Sequence, residues 1–122
     1  MKKDSLITIA NRYAHTIKEE IRVLRRDFES ERQRLSAAPA AMPNFGFRFH
    51  NLACPCEGLQ NYWGEGLDKL GFGEQLKKIS KIGKVSRTYQ KFQEEGDPLG
   101  LDSVEDFLIH LEKLIPILFF VV

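Results

Sequence analysis

Three side chains that can ligate a soft metal or exchange a disulfide lie within one seven-residue run, as His50, Cys54 and Cys56. Zinc sites use four such ligands, usually with two-residue spacers within each pair. This run offers three ligands with spacers of three residues and one residue. The other histidines, His15 and His110, are distant in sequence, so only folding would bring in a fourth ligand. We keep the three residues as metal candidates and predict no bound cofactor.

The Cys54-Pro55 pair also indicates a redox role. If Cys54 caps a helix, Pro55 takes the first helical position and Glu57 the third, which is a favourable helix start. The positive end of the helix dipole would stabilise a thiolate there, although the charge of Glu57 opposes this effect. The competing interpretation is that both cysteines only fill space, because a disulfide between Cys54 and Cys56 would be strained.

Catalytic motifs are absent from the sequence. It contains no phosphate-binding loop, nucleophile elbow, zinc-protease helix or pair of carboxylates in an apolar setting. Glu65 and Asp68 are predicted on an exposed helical face, where carboxylates are solvated. The sequence therefore predicts a protein that is not an enzyme.

Basic residues provide a different chemistry, the binding of phosphate groups. Two predicted helices carry them, and together they would neutralise several phosphates if both helices faced the same way. These residues are Lys77, Lys78, Lys81, Lys84, Arg87 and Lys91 on one helix, and Arg22, Arg25 and Arg26 on the other. In size and charge layout the chain resembles the small helical subunits of CRISPR effector complexes, which implies an accessory role in binding nucleic acid. The alternative is a solvated face, or one that docks the acidic C-terminal part.

Charge is unevenly distributed, although the net charge is only +1. Residues 73–94 carry six basic and two acidic side chains, whereas residues 95–122 carry one basic and six acidic. A basic centre and an acidic end can pair within one molecule or between neighbouring copies. The net charge itself gives no general attraction to nucleic acid or to an acidic membrane.

The chain closes with nine apolar residues, 114–122. Burying one large apolar side chain gains about 1.5–3 kcal/mol, and an exposed apolar patch invites aggregation, so this run must be covered. Either it completes the core, or Phe119, Phe120, Val121 and Val122 join Trp63 in contacting a partner. Protein–protein association, through self-assembly or as a subunit of a larger complex, is therefore the leading prediction for function. Nucleic-acid binding is the alternative, and a Cys/His redox or metal site is the third hypothesis.

Helical periodicity predicts the elements that carry these residues. Apolar residues recur at steps of three, four and seven over Ser5–Leu35, which predicts one long amphipathic helix. Its charged half, residues 25–34, is either a solvated helix end or an arm that reaches a partner. Gly73–Phe92 is predicted as the basic helix, and Ser103 as the start of a last helix that Pro116 ends or kinks.

The middle of the chain, residues 37–73, is predicted to be a connector rich in glycine, proline and aromatic residues. Two prolines within residues 36–44 end the first helix. Phenylalanines at alternate positions over residues 45–49 are typical of an extended segment. Glu57–Leu70 is predicted as a helix broken by glycines, and residues 95–101 as a loop.

Length and composition indicate a single ordinary domain, with 122 residues, 43% hydrophobic and 29% charged. The fold class we predict is all-α, an irregular bundle of about four helices with a long N-terminal helix. The apolar run near the N-terminus is too short for a signal peptide, and the C-terminal one spans about half a bilayer. These lengths predict a cytoplasmic protein that does not enter a membrane.

Overall fold

The computed structural model describes residues 3–37, 46–95 and 101–121. Within these ranges the chain forms four α-helices and a final 3-10 turn. The elements are α1 (Lys3–Ala37), α2 (Gly46–Lys69), α3 (Gly73–Glu94), α4 (Leu101–Leu114) and the 3-10 turn Ile115–Ile117. No strand occurs among the described residues, and the predicted all-α bundle of about four helices is confirmed.

The first helix is the long amphipathic helix that its periodicity predicts, two residues longer at each end. Its buried stripe consists of Leu6, Ala10, Ala14, Ile17, Ile21, Leu24 and Phe28. The charged second half lies along α4, where Arg25 donates to Glu112 at 2.5 Å and Arg32 pairs with Glu105. Both guanidinium groups also stack over the buried Phe28 ring. This half of α1 is therefore held by the bundle up to Arg32.

The second helix contradicts the prediction for the connector. Gly46–Phe49 was expected to be extended, but the helix runs without interruption from Gly46 to Lys69, with Pro55 in its interior. The reason is burial at helical spacing, which the alternating phenylalanines obscured. Phe49 begins a buried stripe that continues through Leu52, Ala53, Cys56, Leu59 and Leu67. Helix α1 ends at Ala37, within the segment 36–44 that was expected to end it, and residues 38–45 lie outside the described residues.

A tight turn of three residues, 70–72, connects α2 to α3. The Phe72 N–H donates to the Leu67 carbonyl at 3.1 Å, and the Gly71 N–H donates to the Asp68 carbonyl at 3.0 Å. This is a Schellman motif, which requires a left-handed residue, and Gly71 supplies it with φ of +92°. Phe72 and Leu67 are both buried, which provides the hydrophobic contact that usually accompanies the motif.

Helix α2 packs against both α1 and α3, while α4 packs against α1. Glycines mark the closest approaches on α2. A Cβ at Gly58 would lie 3.2 Å from the Tyr13 ring, and one at Gly66 would lie 2.9 Å from the Leu6 side chain. The glycines expected to break this helix therefore let α1 lie against it.

The C-terminal segment folds back onto the start of α1. Leu118 and Phe120 are buried, and the Phe120 ring meets Phe72 edge-on with 5.2 Å between centroids. The Asn11 amide clamps the Phe120 backbone, donating to its carbonyl at 2.8 Å and accepting from its N–H at 2.7 Å. Helix α4 begins by Leu101, two residues before the predicted Ser103, and residues 96–100 lie outside the described residues.

Candidate functional site

The two cysteines occupy different environments although they are two residues apart in α2. Cys56 faces α3, where its Cβ would be 3.1 Å from a Cβ added at Gly83. Burial, together with the nearby Glu57 charge, raises the pKa of the Cys56 thiol to about 12. Cys54 is exposed on the surface of the helix. Cys56 is therefore a packing residue, as the space-filling interpretation holds, and Cys54 is not.

Cys54 lies in a polar cluster where α2 meets α3. Its sulfur is 3.4 Å from His50 Nε2 and 3.5 Å from Arg87 Nη2. Arg87 also donates to His50 Nδ1 at 2.8 Å and to Gln90 Oε1 at 2.7 Å, and it forms a bidentate pair with Glu57 at 2.8 and 2.6 Å. The guanidinium hydrogen bonds hold the pKa of the Glu57 carboxyl below its ordinary value.

The structure corrects the helix-start prediction for Cys54. This residue is in the interior of α2, more than two turns after Gly46, so no helix terminus stabilises its thiolate. The residues that do approach the sulfur are a histidine one turn earlier and an arginine from the neighbouring helix. Arg87 was predicted only as a phosphate-binding residue, and no sequence pattern indicated its contact with Cys54, because the two lie 33 residues apart along the chain.

The metal candidates do not assemble. Cys56 faces the core whereas His50 and Cys54 face solvent, and no group of three ligating side chains occurs among the described residues. Arg87 donates hydrogen bonds to His50 Nδ1 and to the Cys54 sulfur, the atoms that would otherwise bind a metal cation. Its positive charge also repels a cation.

Lysines form a stripe along α3 on the side away from the core. Lys77, Lys81, Lys84 and Lys91 are exposed at helical spacing, and Lys78 is half-buried beside them. Lys77 and Lys91 have weak pairs with Glu74 at 3.5 Å and Glu95 at 3.9 Å. Lys78, Lys81 and Lys84 form no ion pair with any described residue. We call these five residues the lysine stripe.

The remaining predicted basic residues are not available in the same way. Arg87 is engaged by Glu57, and Arg25 by Glu112 and Glu29. Arg22 and Arg26 are exposed but pair with Glu19 and Asp27 on their own helix. Because α2 packs against both α1 and α3, the arginines and the lysine stripe do not share one helix–helix interface. The condition that both basic helices face the same way is therefore not supported.

The acidic C-terminal part pairs with α1 and not with the lysine stripe. Glu105 and Glu112 of α4 hold Arg32 and Arg25, both from the first helix. The expectation that this part would dock on the basic helix is thus wrong for these two carboxylates. Because they pair with α1, these two carboxylates provide no counter-charge to Lys78, Lys81 and Lys84.

The predicted partner interface is only partly exposed. Phe120 is 1% exposed in the chain's own core, so it is not available to a partner, which corrects that assignment. Phe119 is partly buried against the core, Val121 is 76% exposed, and Val122 lies outside the described residues. Trp63 is half-buried and packs on Tyr13 with 5.2 Å between ring centroids.

A groove between α3 and α4 was not anticipated from the sequence. The helices stay apart along this seam and leave a hollow of about 370 Å³. Its lining is mainly apolar: Ile82, Val85, Tyr89, Phe107, Leu111 and Leu114, with Lys81, Ser103, Asp106 and His110 at its rim. The Tyr89 hydroxyl donates to the Ser103 carbonyl at 3.2 Å, which fixes one end of the seam. Burial, and then the Asp106 charge, raise the pKa of Tyr89.

Comparisons with models of protein families, with curated protein sequences and with solved structures found no match to this chain. No helix in the described ranges has an apolar stretch long enough to cross a bilayer. What can be inferred about function therefore comes from the groove, the lysine stripe and the Cys54 cluster.

Proposed function

We propose that this chain is a small non-catalytic helical protein that acts by association, and that a second copy of the chain occupies the groove between α3 and α4. The observation that carries the proposal is the groove itself, a mainly apolar seam along which α3 and α4 stay apart. Apolar surface of this kind is stabilised when a partner covers it, by about 25 cal/mol for each Å² removed from water.

Charge complementarity selects a second copy as the occupant. The rim carries Lys81 from α3 and Asp106 from α4, and no ion pair joins them within one chain. In a two-fold symmetric interface, Lys81 of each copy would pair with Asp106 of the other copy. The three stripe lysines without ion pairs and the unpaired carboxylates of α4, Asp102 and Asp106, complement each other in the same way.

The test is the mass of the purified chain in solution, measured by light scattering over a wide concentration range. We expect a dimer whose dissociation constant rises about tenfold, or about 1.4 kcal/mol, in Lys81→Glu and in Asp106→Lys. The double charge swap should restore association, whereas Lys18→Glu, at an exposed position of α1 outside the groove, should leave it unchanged. A strict monomer at every concentration, or a dimer indifferent to both rim charges, would refute self-association through this groove.

The second candidate function is binding to a nucleic-acid backbone, and the lysine stripe favours it. Lys77 to Lys91 covers about 20 Å at the helical rise of 1.5 Å per residue, enough to follow several phosphates. The three lysines without ion pairs are the strongest part of this surface.

Fluorescence anisotropy with labelled oligonucleotides tests this second candidate. Affinity should fall linearly with salt on logarithmic axes, and removing Lys78 and Lys84 together should lower the slope by about 1.8. Removing Lys18 and Lys113 together, as glutamines, is the matched control, since it takes the same two charges from other helices. Binding that is undetectable at low salt, or that ignores salt, would contradict the candidate.

A further inference from the structure

A polar cleft lies between α2 and α3 and is lined by side chains of both helices. Its volume is about 640 Å³, which is within the range of small-molecule sites. Gln60 joins the two helices there by donating to the Leu76 carbonyl at 2.6 Å. A second hollow of about 250 Å³ shares Gln60, Ser80 and Lys84 with it, so the two adjoin along the same seam. We call the larger hollow the α2–α3 cleft.

Gly64 keeps the α2–α3 cleft open. It is buried in the interior of α2, where glycine is unfavourable for a helix. The glycines Gly58 and Gly66 admit α1, but a Cβ at Gly64 would closely approach only the end of Gln60, at 3.2 Å. No neighbouring helix therefore requires glycine at this position. Glycine also serves where a backbone and a ligand approach closely, so Gly64 points to a ligand independently of any charge.

Lysines from α3 give one end of the cleft a positive charge. Lys81 and Lys84 line it, are exposed, and form no ion pair with any described residue. Ser80 lines it beside them with a hydroxyl that can donate. Glu57, which lines the adjoining hollow with Lys84, is already bound by Arg87 through hydrogen bonds of 2.8 and 2.6 Å. The free donors at this end suit a phosphate group, whose oxygens accept charge-assisted hydrogen bonds.

The end of the cleft near the turn is acidic instead. Glu65 and Asp68 line it, and Asp68 lies along α2 from Gln60 by about 12 Å at the helical rise. Glu65 pairs with Lys69 at 3.1 Å, whereas Asp68 forms no ion pair within the described ranges. Because carboxylates accept hydrogen bonds, this end suits the amino or hydroxyl donors of a ligand. The cleft therefore has the polarity of a site for an elongated molecule with a phosphate at one end.

We propose that the α2–α3 cleft binds a small phosphorylated molecule. Its phosphate group lies at Lys81, Lys84 and Ser80, and its donor-bearing end lies at the two carboxylates near the turn. A nucleoside diphosphate has this chemistry, because its phosphates are anionic and its base and sugar carry amino and hydroxyl donors. The site does not depend on self-association, but Lys81 also lines the groove between α3 and α4, so the tests leave Lys81 unchanged.

Isothermal titration calorimetry of the wild-type chain at low salt tests the ligand class, with ADP, inorganic pyrophosphate and adenosine as probes. We expect ADP and pyrophosphate to bind, and ADP about tenfold more tightly, because it adds the donors that the carboxylates accept. Adenosine, which lacks phosphate, should not bind measurably. The proposal is overturned if neither phosphate compound binds, if pyrophosphate binds as tightly as ADP, or if adenosine does.

Variants locate the ligand in the cleft. Gly64→Leu fills the cleft and Lys84→Gln removes one of its free charges, so each should weaken ADP binding at least about tenfold with circular dichroism unchanged. If Gly64→Leu does not fold, Lys84→Gln alone decides. Lys91→Gln is the matched control, because it takes the same charge from the lysine stripe outside the cleft.

The control also separates this site from the nucleic-acid candidate. Lys91→Gln should bind ADP like the wild type, whereas binding of an oligonucleotide along the whole stripe should weaken. Equal losses of ADP affinity in Lys84→Gln and Lys91→Gln would mean attraction to diffuse positive charge, and would overturn the proposal. Wild-type ADP affinity in Lys84→Gln would overturn it as well.

Discussion

Removing the Phe120 side chain should destabilise the chain strongly, although this residue is near one end of the sequence. Phe120 is 1% exposed and packs edge-on against Phe72. Truncating a buried phenylalanine to alanine costs about 3–5 kcal/mol, because apolar burial is lost and a cavity remains. Asn11→Ala removes two hydrogen bonds to the Phe120 backbone, each worth about 1 kcal/mol.

Urea unfolding, followed by circular dichroism and by Trp63 fluorescence, measures both effects. With a slope of about 1.5 kcal/mol per molar urea, Phe120→Ala should lower the midpoint by about 2–3 M. Asn11→Ala should lower it by about 1 M. The double variant should lose less than the sum, because both residues hold the same segment against α1.

Val121→Ala is the matched control, since Val121 is adjacent but 76% exposed. Its midpoint should stay within about 0.3 M of the wild type, as for most surface substitutions. The reasoning is refuted if Phe120→Ala also leaves the midpoint in that range. A dimer that dissociates in Phe120→Ala, with the stability of the chain unchanged, would instead identify the segment as an interface.

Three further predictions follow from the contacts of α2 and α3. Gly83→Val should lower the free energy of unfolding in urea by about 2–3 kcal/mol, because even a Cβ at position 83 would lie 3.1 Å from Cys56. Gly64→Ala is the control and should be nearly neutral, because a Cβ at position 64 closely approaches only the flexible end of Gln60. A colorimetric thiol reagent at pH 8 should titrate one thiol per folded chain, since Cys56 is buried and its pKa is about 12; two fast thiols would contradict this burial. Glu57→Gln should lower the free energy of unfolding by about 1 kcal/mol at pH 7, and this loss should shrink below the ordinary glutamate pKa of about 4.3 and vanish below the lowered pKa of the folded state. The sign follows from the lowered pKa of Glu57: its charged form stabilises the fold above the unfolded-state pKa, and this stabilisation disappears as the pH falls through the folded-state pKa. If the stability difference between Glu57→Gln and the wild type persists in acid, the ion pair with Arg87 is not its cause.

The helices with clear periodicity were predictable from the sequence, and the connector was not. Residues such as Ile17 and Ile79 recur at helical spacing and are buried as expected. The glycines of α2 indicated a broken helix because propensity counts only the cost of glycine within its own helix. Gly58 and Gly66 are instead positions where α1 approaches closely. The packing that these glycines allow depends on a helix elsewhere in the chain, so propensity within α2 cannot indicate it.

Candidate sites were predictable where they depend on one helix and unpredictable where they depend on two. The lysine stripe is visible in the sequence because its residues share a single helical face. The Cys54 cluster needs Arg87 from α3, and the groove needs Tyr89 beside Phe107, whose ring centroids are 5.3 Å apart. Such juxtapositions follow from helix packing and leave no local pattern.

The clamp between Asn11 and Phe120 has a consequence for the order of folding. It joins residues 109 positions apart, whereas α2 and α3 are joined by a three-residue turn. Closing a longer loop costs more entropy, by about 0.6 kcal/mol for each doubling, so the α2–α3 pair should form early and the clamp late. Interactions that form after the transition state slow unfolding without accelerating folding. The clamp therefore sets how long a folded chain persists, and the α2–α3 pair sets how quickly it forms.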